Sequence, residues 1–185
     1  PEFASDLECA GCKHHPPAFD RSIASFCYRF PIDHAVHALK YDSKRYIAEA
    51  LAQLMHQRIR DSYQQDDWPE CLIPVPLDKA RLKARGYNQA RLLSHNFSRE
   101  MHIPCMEKVV KKVTQTPSQV KLKRAERLRN LRRAFRLKNN LPFQHVAIVD
   151  DVMTTCATAE SLSRLLKSAG VRRVDVWVVA RTPSN

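Results

Sequence analysis

Val146-Ala147-Ile148-Val149-Asp150-Asp151-Val152-Met153-Thr154-Thr155-Cys156-Ala157-Thr158 runs from four small or β-favouring apolar residues into two carboxylates and then into a cluster of hydroxyls. The apolar run is too short for a helix and is bounded by polar residues, so it reads as a buried strand. Beyond it, Leu162, Leu165, Leu166 and Ala169 fall at i, i+3, i+4 and i+7, one face of an amphipathic helix, with Gly170 placed to cap its carboxyl end. Residues 171–179 return to a valine-rich buried strand, which makes the segment a βαβ unit with a right-handed crossover. In such sheets ligands bind beyond the carboxyl ends of the strands, where Asp150 and Asp151 fall.

Ionised carboxylates only accept hydrogen bonds, so a pair of them at a strand end suits the vicinal hydroxyls of a ribose or a bound magnesium ion. Thr154, Thr155 and Thr158 add hydroxyls. The backbone N–H groups of the same turn open a helix, where the dipole favours an anion. A phosphorylated sugar satisfies both halves. Other phosphate cradles are excluded by composition: with glycine only at 11, 86 and 170, neither a Walker loop nor a G-x-G-x-x-G turn can be built.

Upstream, Ile47, Ala50, Leu51, Leu54, Met55 and Ile59 repeat at helical spacing within residues 33–62. A break near residues 40–43 predicts two helices, with Ser43 capping the second and Lys40 free to point into a cleft. Cys71-Leu72-Ile73-Pro74-Val75-Pro76 is a short strand whose prolines place it at the sheet edge or at its carboxyl end. A loop carrying Lys79, Arg81, Lys83 and Arg85 follows, then a helix from about Gln89 to Met101. Arginine suits bidentate phosphate contact in a way lysine does not, which favours Arg85, then Arg81 and Lys79, as phosphate ligands.

At 185 residues and 44% hydrophobic content the chain can bury one full core. No apolar run approaches the roughly 18 residues of a membrane span and no signal segment is evident, so a cytoplasmic location is expected. The six cysteines, at 9, 12, 27, 71, 105 and 156, show no disulfide spacing and should stay reduced there. Pro1-Glu2-Phe3 reads as a cloning remnant. Cys9 and Cys12 have the spacing of one zinc knuckle. His14 and His15 would complete a ligand set only in a cramped chelate, so this half-site is expected to be empty of zinc.

The net charge of +12 is concentrated in one segment: between Lys108 and Lys138 twelve cations face Glu126 alone. Leu128, Leu131 and Phe135 mark an apolar stripe, so its second half reads as an amphipathic helix docked on the core with its arginines outward. Lys121, Lys123, Arg124, Arg127, Arg129, Arg132 and Arg133 are the candidate polyanion face. On single-stranded DNA each neutralised phosphate would contribute about −0.7 to the slope of log affinity against log salt. A solvated face is the alternative.

Residues 149–158 resemble the phosphoribosyl pyrophosphate (PRPP) loop of type I phosphoribosyltransferases. His37-Ala38-Leu39-Lys40-Tyr41, Ile73-Pro74-Val75-Pro76-Leu77 with Arg85-Gly86-Tyr87-Asn88-Gln89, and Arg127-Leu128-Arg129-Asn130 with Ala134-Phe135 follow in the order and spacing of the ComF family, which they resemble, including GntX-type proteins. The resemblance covers nearly the whole chain, and Arg-Gly-Tyr-Asn-Gln is its most specific part. It implies a type I phosphoribosyltransferase-like α/β fold, a mostly parallel sheet flanked by helices. The hood that holds a nucleobase is expected to be absent or reduced, since the chain stops soon after the last strand. Residues 1–30 would be the remnant of an N-terminal zinc ribbon and linker, with Zn2+ only in the full-length protein, and residues 31–185 the phosphoribosyltransferase-like domain.

The same resemblance implies PRPP with Mg2+ bound by Lys40, Arg81, Arg85, Asp150, Asp151, Thr154, Thr155, Cys156, Ala157 and Thr158, the two aspartates being the catalytic candidates. It makes the basic segment either a lid over PRPP or a DNA face. The expected role is a PRPP-binding, non-specific single-stranded DNA-binding accessory of natural transformation, with a DNA-translocation helicase or recombination mediator as partner. An active phosphoribosyltransferase and a PRPP-sensing regulator are the other readings. Cys156 departs from the family, whose loop usually has glycine there.

Overall fold

The computed structural model describes residues 16–64, 67–113, 134–138 and 141–182. Its centre is a four-stranded parallel sheet in the order β1 (Arg21–Cys27), β6 (Arg173–Arg181), β5 (His145–Met153), β2 (Cys71–Pro74). Between β1 and β2 come α1 (Ile32–Tyr41) and α2 (Tyr46–Asp61). After β2 come α3 (Lys79–Arg85) and α4 (Gln89–Met101), and α5 (Ala157–Ser168) crosses from β5 to β6. A two-stranded antiparallel sheet joins β3 (Val110–Lys112) to β4 (Phe135–Leu137).

Alternation along the strands splits the core in two. Val146 and Ile148 of β5 and Val174, Val176 and Val178 of β6 pack with Leu162 and Leu166 of α5. Ala147 and Val149, with Trp177 and Val179, pack the other way against Leu39, Met55 and Phe97 of α1, α2 and α4. Both faces of the sheet are therefore covered, which is why its strands read as continuous apolar runs. A parallel sheet with helices on both sides is the type I phosphoribosyltransferase-like α/β arrangement expected from the PRPP-loop motif.

Several local expectations change. Residues 21–27 form β1, paired along its length with β6, so the linker expected to end at residue 30 ends earlier and the domain takes in Arg21–Cys27. Only Ile23 of this strand is fully buried, which left no strong apolar signal. Ser43 does not cap α2: it sits in the left-handed region at φ 57°, and Arg45 takes the cap position without a side-chain bond. The cationic loop is a helix, because Asp78 accepts the Arg81 backbone N–H and Gly86, at φ 75°, closes the far end. Phe135 belongs to β4, not to an amphipathic helix: it is buried against the α5 face and pairs with Lys112. Gly170 follows α5 at φ 99°, as the cap reading requires.

Candidate functional site

β5 carries Asp150 and Asp151 to the carboxyl end of the sheet, and the period of two turns them apart. Asp150 shares a face with Ile148 and lines a small open pocket formed with Val75, Val178 and residues 152–159. Asp151 is turned toward α1, where Lys40 Nζ lies 3.0 Å from its Oδ1. Lys40 reaches it from the last turn of α1, inside the helix and not at the break between two helices. Asp150 Oδ1 accepts the Asp151 backbone N–H at 2.9 Å. Burial, and then the negative charge of Asp151, push the Asp150 carboxyl up to about 7, against the pull of that N–H, Lys40 and Lys112.

This arrangement bears on the divalent ion. Asp151 is ion-paired with Lys40, while burial and the charge of Asp151 beside it raise the Asp150 carboxyl. Such a set fits magnesium, which is bound through one or two carboxylates and the phosphates of its ligand. Asp150 and Asp151 are the residues that would hold it.

Beyond β5 the chain turns through exposed Thr154 and Thr155 to Cys156, which takes φ 59° and ψ −1° as the residue before α5. Glycine adopts that conformation freely, whereas for a residue with a Cβ it costs roughly 1 kcal/mol. Cys156 thus occupies the conformation for which the family pattern has glycine. Ala157 and exposed Thr158 open α5 and present its first N–H groups to the pocket. Arg181 Nη2 lies 3.9 Å from Cys156 Sγ, because the β5–β6 register sets Arg181 opposite Met153. Sequence reasoning missed Arg181. Its only linear signal is a cation closing an apolar strand, and pairing alone shows where that strand ends.

The cationic helix is brought together with the aspartates only in part. Arg85 donates to Gln89 Oε1 at 3.1 Å and to Tyr41 Oη at 3.2 Å, and Tyr41 follows Lys40 in the chain. Arg81 is exposed and ion-paired with Asp78 at 3.4 Å. Tyr87 donates its hydroxyl to the Leu39 carbonyl and Asn88 caps α4 while its amide holds the Val75 carbonyl at 2.9 Å. The Arg-Gly-Tyr-Asn-Gln element therefore clamps α1, β2 and α4 together around the cleft. Gln89 is buried, with Nε2 unpartnered among the described residues. Lys121, Lys123, Arg124, Arg127, Arg129, Arg132 and Arg133, together with Cys9 and Cys12, lie outside the described residues.

No family model matches the chain. It is 38% identical over 178 residues to competence protein F of Haemophilus influenzae, covering 94% of this chain and 78% of that protein. It is 34% identical over 187 residues to DNA utilization protein YhgH of Escherichia coli, covering 98% of this chain and 81% of that one. Among solved structures, the hypoxanthine phosphoribosyltransferase of Trypanosoma cruzi superposes with a TM-score of 0.37 at 14% identity, over 78% of this chain and 76% of that one. So loose a superposition identifies no function.

Proposed function

This chain belongs to the ComF family of competence and DNA-utilization proteins, and from that premise we propose that it binds PRPP with magnesium and handles single-stranded DNA in the cytoplasm during DNA uptake. The observation that carries the PRPP reading is the strand end itself. Asp150, raised toward neutrality, lines a pocket whose opposite wall is the hydroxyl-bearing turn and the first N–H groups of α5. A ribose would place its hydroxyls at the aspartates and its 5-phosphate at Thr154–Thr158. Lys40 and Arg85, with Arg81 further out, supply positive charge for the pyrophosphate. Bound magnesium would neutralise part of that pyrophosphate charge.

The basic segment around residues 121–133 supports the DNA reading through charge density alone, with no base-reading pattern, so binding is expected to be indifferent to sequence. A translocation helicase or a recombination mediator is the class of partner that hands over or receives such a strand. Turnover would additionally need an acceptor whose nucleophilic atom is positioned against the ribose. Calorimetry with PRPP and magnesium tests the site: Asp150→Ala with Asp151→Ala should abolish binding. Unchanged affinity would sink the assignment, and pyrophosphate release dependent on a nucleobase would replace the accessory role with an enzyme.

A further inference from the structure

The strongest unexplained surface lies on α1. Phe30 is 75% exposed and Tyr41 61% exposed, large rings that a folded chain ordinarily covers. Between them stand His34 and His37, also exposed. His34, His37 and Tyr41 fall at helical spacing on one side of α1, and Phe30, just before the helix, reaches His34 through its ring. They are already paired: Phe30 meets His34 edge to face with centroids 5.3 Å apart, and His37 lies 4.7 Å from Tyr41.

Cations line the same face. Arg85 sits over the Tyr41 ring at 4.9 Å, and Arg45 over Tyr87 at 4.7 Å beside Gly86, which joins the start of α2 to the end of α3. α3 itself buries none of its residues and carries Lys79, Arg81, Lys83 and Arg85. Arg29 and Lys44, both exposed, stand near the two ends of α1. Against them the face offers Asp33, which hydrogen-bonds with His34, and Asp42. A core has no use for exposed rings and cations in this order. An acidic peptide would be drawn by the charge but has no reason to want four exposed rings.

We propose that the exposed face of α1, from Phe30 to Tyr41, is a stacking platform for the bases of a single strand of nucleic acid whose phosphates run along α3 and Arg45. The inference rests on the single-strand reading above and gives it an interface away from residues 121–133. Aromatic rings interleaved with cations are what sequence-indifferent single-strand binding requires, because every base has a face to stack while the backbone needs only positive charge. The platform ends at Tyr41, next to the Lys40 that pairs with Asp151, so a bound strand passes the rim of the Asp150–Asp151 cleft.

Anisotropy of labelled oligo(dT) with the whole chain tests this. Phe30→Ala with Tyr41→Ala should weaken binding at least about tenfold while leaving the salt slope as it was, since the rings carry no charge. Lys79→Ala with Lys83→Ala should flatten the slope by about 0.7 for each phosphate no longer neutralised. Tyr41→Trp should restore affinity and show emission quenched by the oligonucleotide. A blunt duplex, whose bases are stacked on one another, should be indifferent to the ring substitutions; an equal loss on duplex would overturn the stacking role. Wild-type affinity in the double ring variant would overturn the platform, and if Arg129→Ala, Arg132→Ala and Arg133→Ala then removed binding, the single-strand reading would stand on the basic segment instead. No oligonucleotide binding by the wild-type chain would overturn both.

Discussion

Asp175 and Asp150 stand on neighbouring strands, Asp175 opposite Ala147 and Asp150 three residues further along the same sheet, yet their surroundings are opposite. Asp175, fully buried near the amino end, accepts the Tyr63 hydroxyl at 2.7 Å and Arg173 Nε at 3.2 Å, and hydrogen-bonds with His145 Nε2 at 3.0 Å. Trp177 Nε1 donates in turn to the Tyr63 hydroxyl at 2.8 Å. Burial works to raise its carboxyl, but the bonds from His145, Tyr63 and Arg173 outweigh burial and hold it below the usual range. At the carboxyl end Asp150 has a like charge beside it and its burial is not answered, so it rises. At one end of the sheet the buried charge is answered by donors; at the other it is not.

The largest expected effect separates the two ends. Asp175→Ala removes the shared acceptor of Arg173 and Tyr63 and should cost about 3–5 kcal/mol of stability, read from the midpoint of urea unfolding. Asp150→Ala should cost far less than that. Equal losses would break the comparison, because they would make both aspartates structural.

An intermediate effect concerns pH. Asp150 has a folded pKa raised above its unfolded value, so between the ordinary carboxylate range and about 7 the folded chain holds more protons than the unfolded one. Its contribution to stability is therefore present at low pH and is lost as pH rises through that window. Asp175, with its pKa lowered, works in the opposite sense and loses its contribution as pH falls. Asp150→Asn should flatten the decline of stability between pH 4 and about 7, measured by denaturant titration across that range. An unchanged profile would remove the contrast in environment.

The smallest effect sharpens the account of the carboxyl end. Cys156→Gly relieves a left-handed residue at φ 59° but gives up the approach of Arg181 to the sulfur and adds chain entropy to the unfolded state. A net gain of about 0.5 kcal/mol or less is expected, seen as a slight rise in melting temperature with PRPP affinity kept or improved. A clear loss of affinity would mean that the cysteine side chain itself takes part in the site.

Much of the site could be read from the chain because local pattern carried it. Four apolar residues, two aspartates, a threonine turn and an amphipathic helix follow one another without interruption, and β5 and α5 lie where that order requires. β1 escaped notice because a strand that buries only Ile23 fully has almost no periodic signal, and its place comes from pairing with β6. The helical form of residues 79–85 was hidden for a different reason: a run with no buried residue has no apolar stripe, and only its caps reveal it. The aromatic stripe of α1 is present in the sequence as a spacing, but exposure distinguishes it from a core face, and exposure is a property of what packs nearby.

By itself the sequence determined the identity and order of the chemical groups at the carboxyl end of β5, since residues contiguous in the chain share a strand, a turn and a helix. It also determined the excess of positive charge and the absence of glycine-rich phosphate loops. Only the tertiary structure decided which partners those groups meet. Lys40 at Asp151, Arg181 at Cys156 and Arg85 at Tyr41 come from separate elements brought together by strand register and helix packing. The two aspartates, equivalent in the chain, became unlike for the same reason: the alternation of a strand turned one toward a cation and the other toward a pocket.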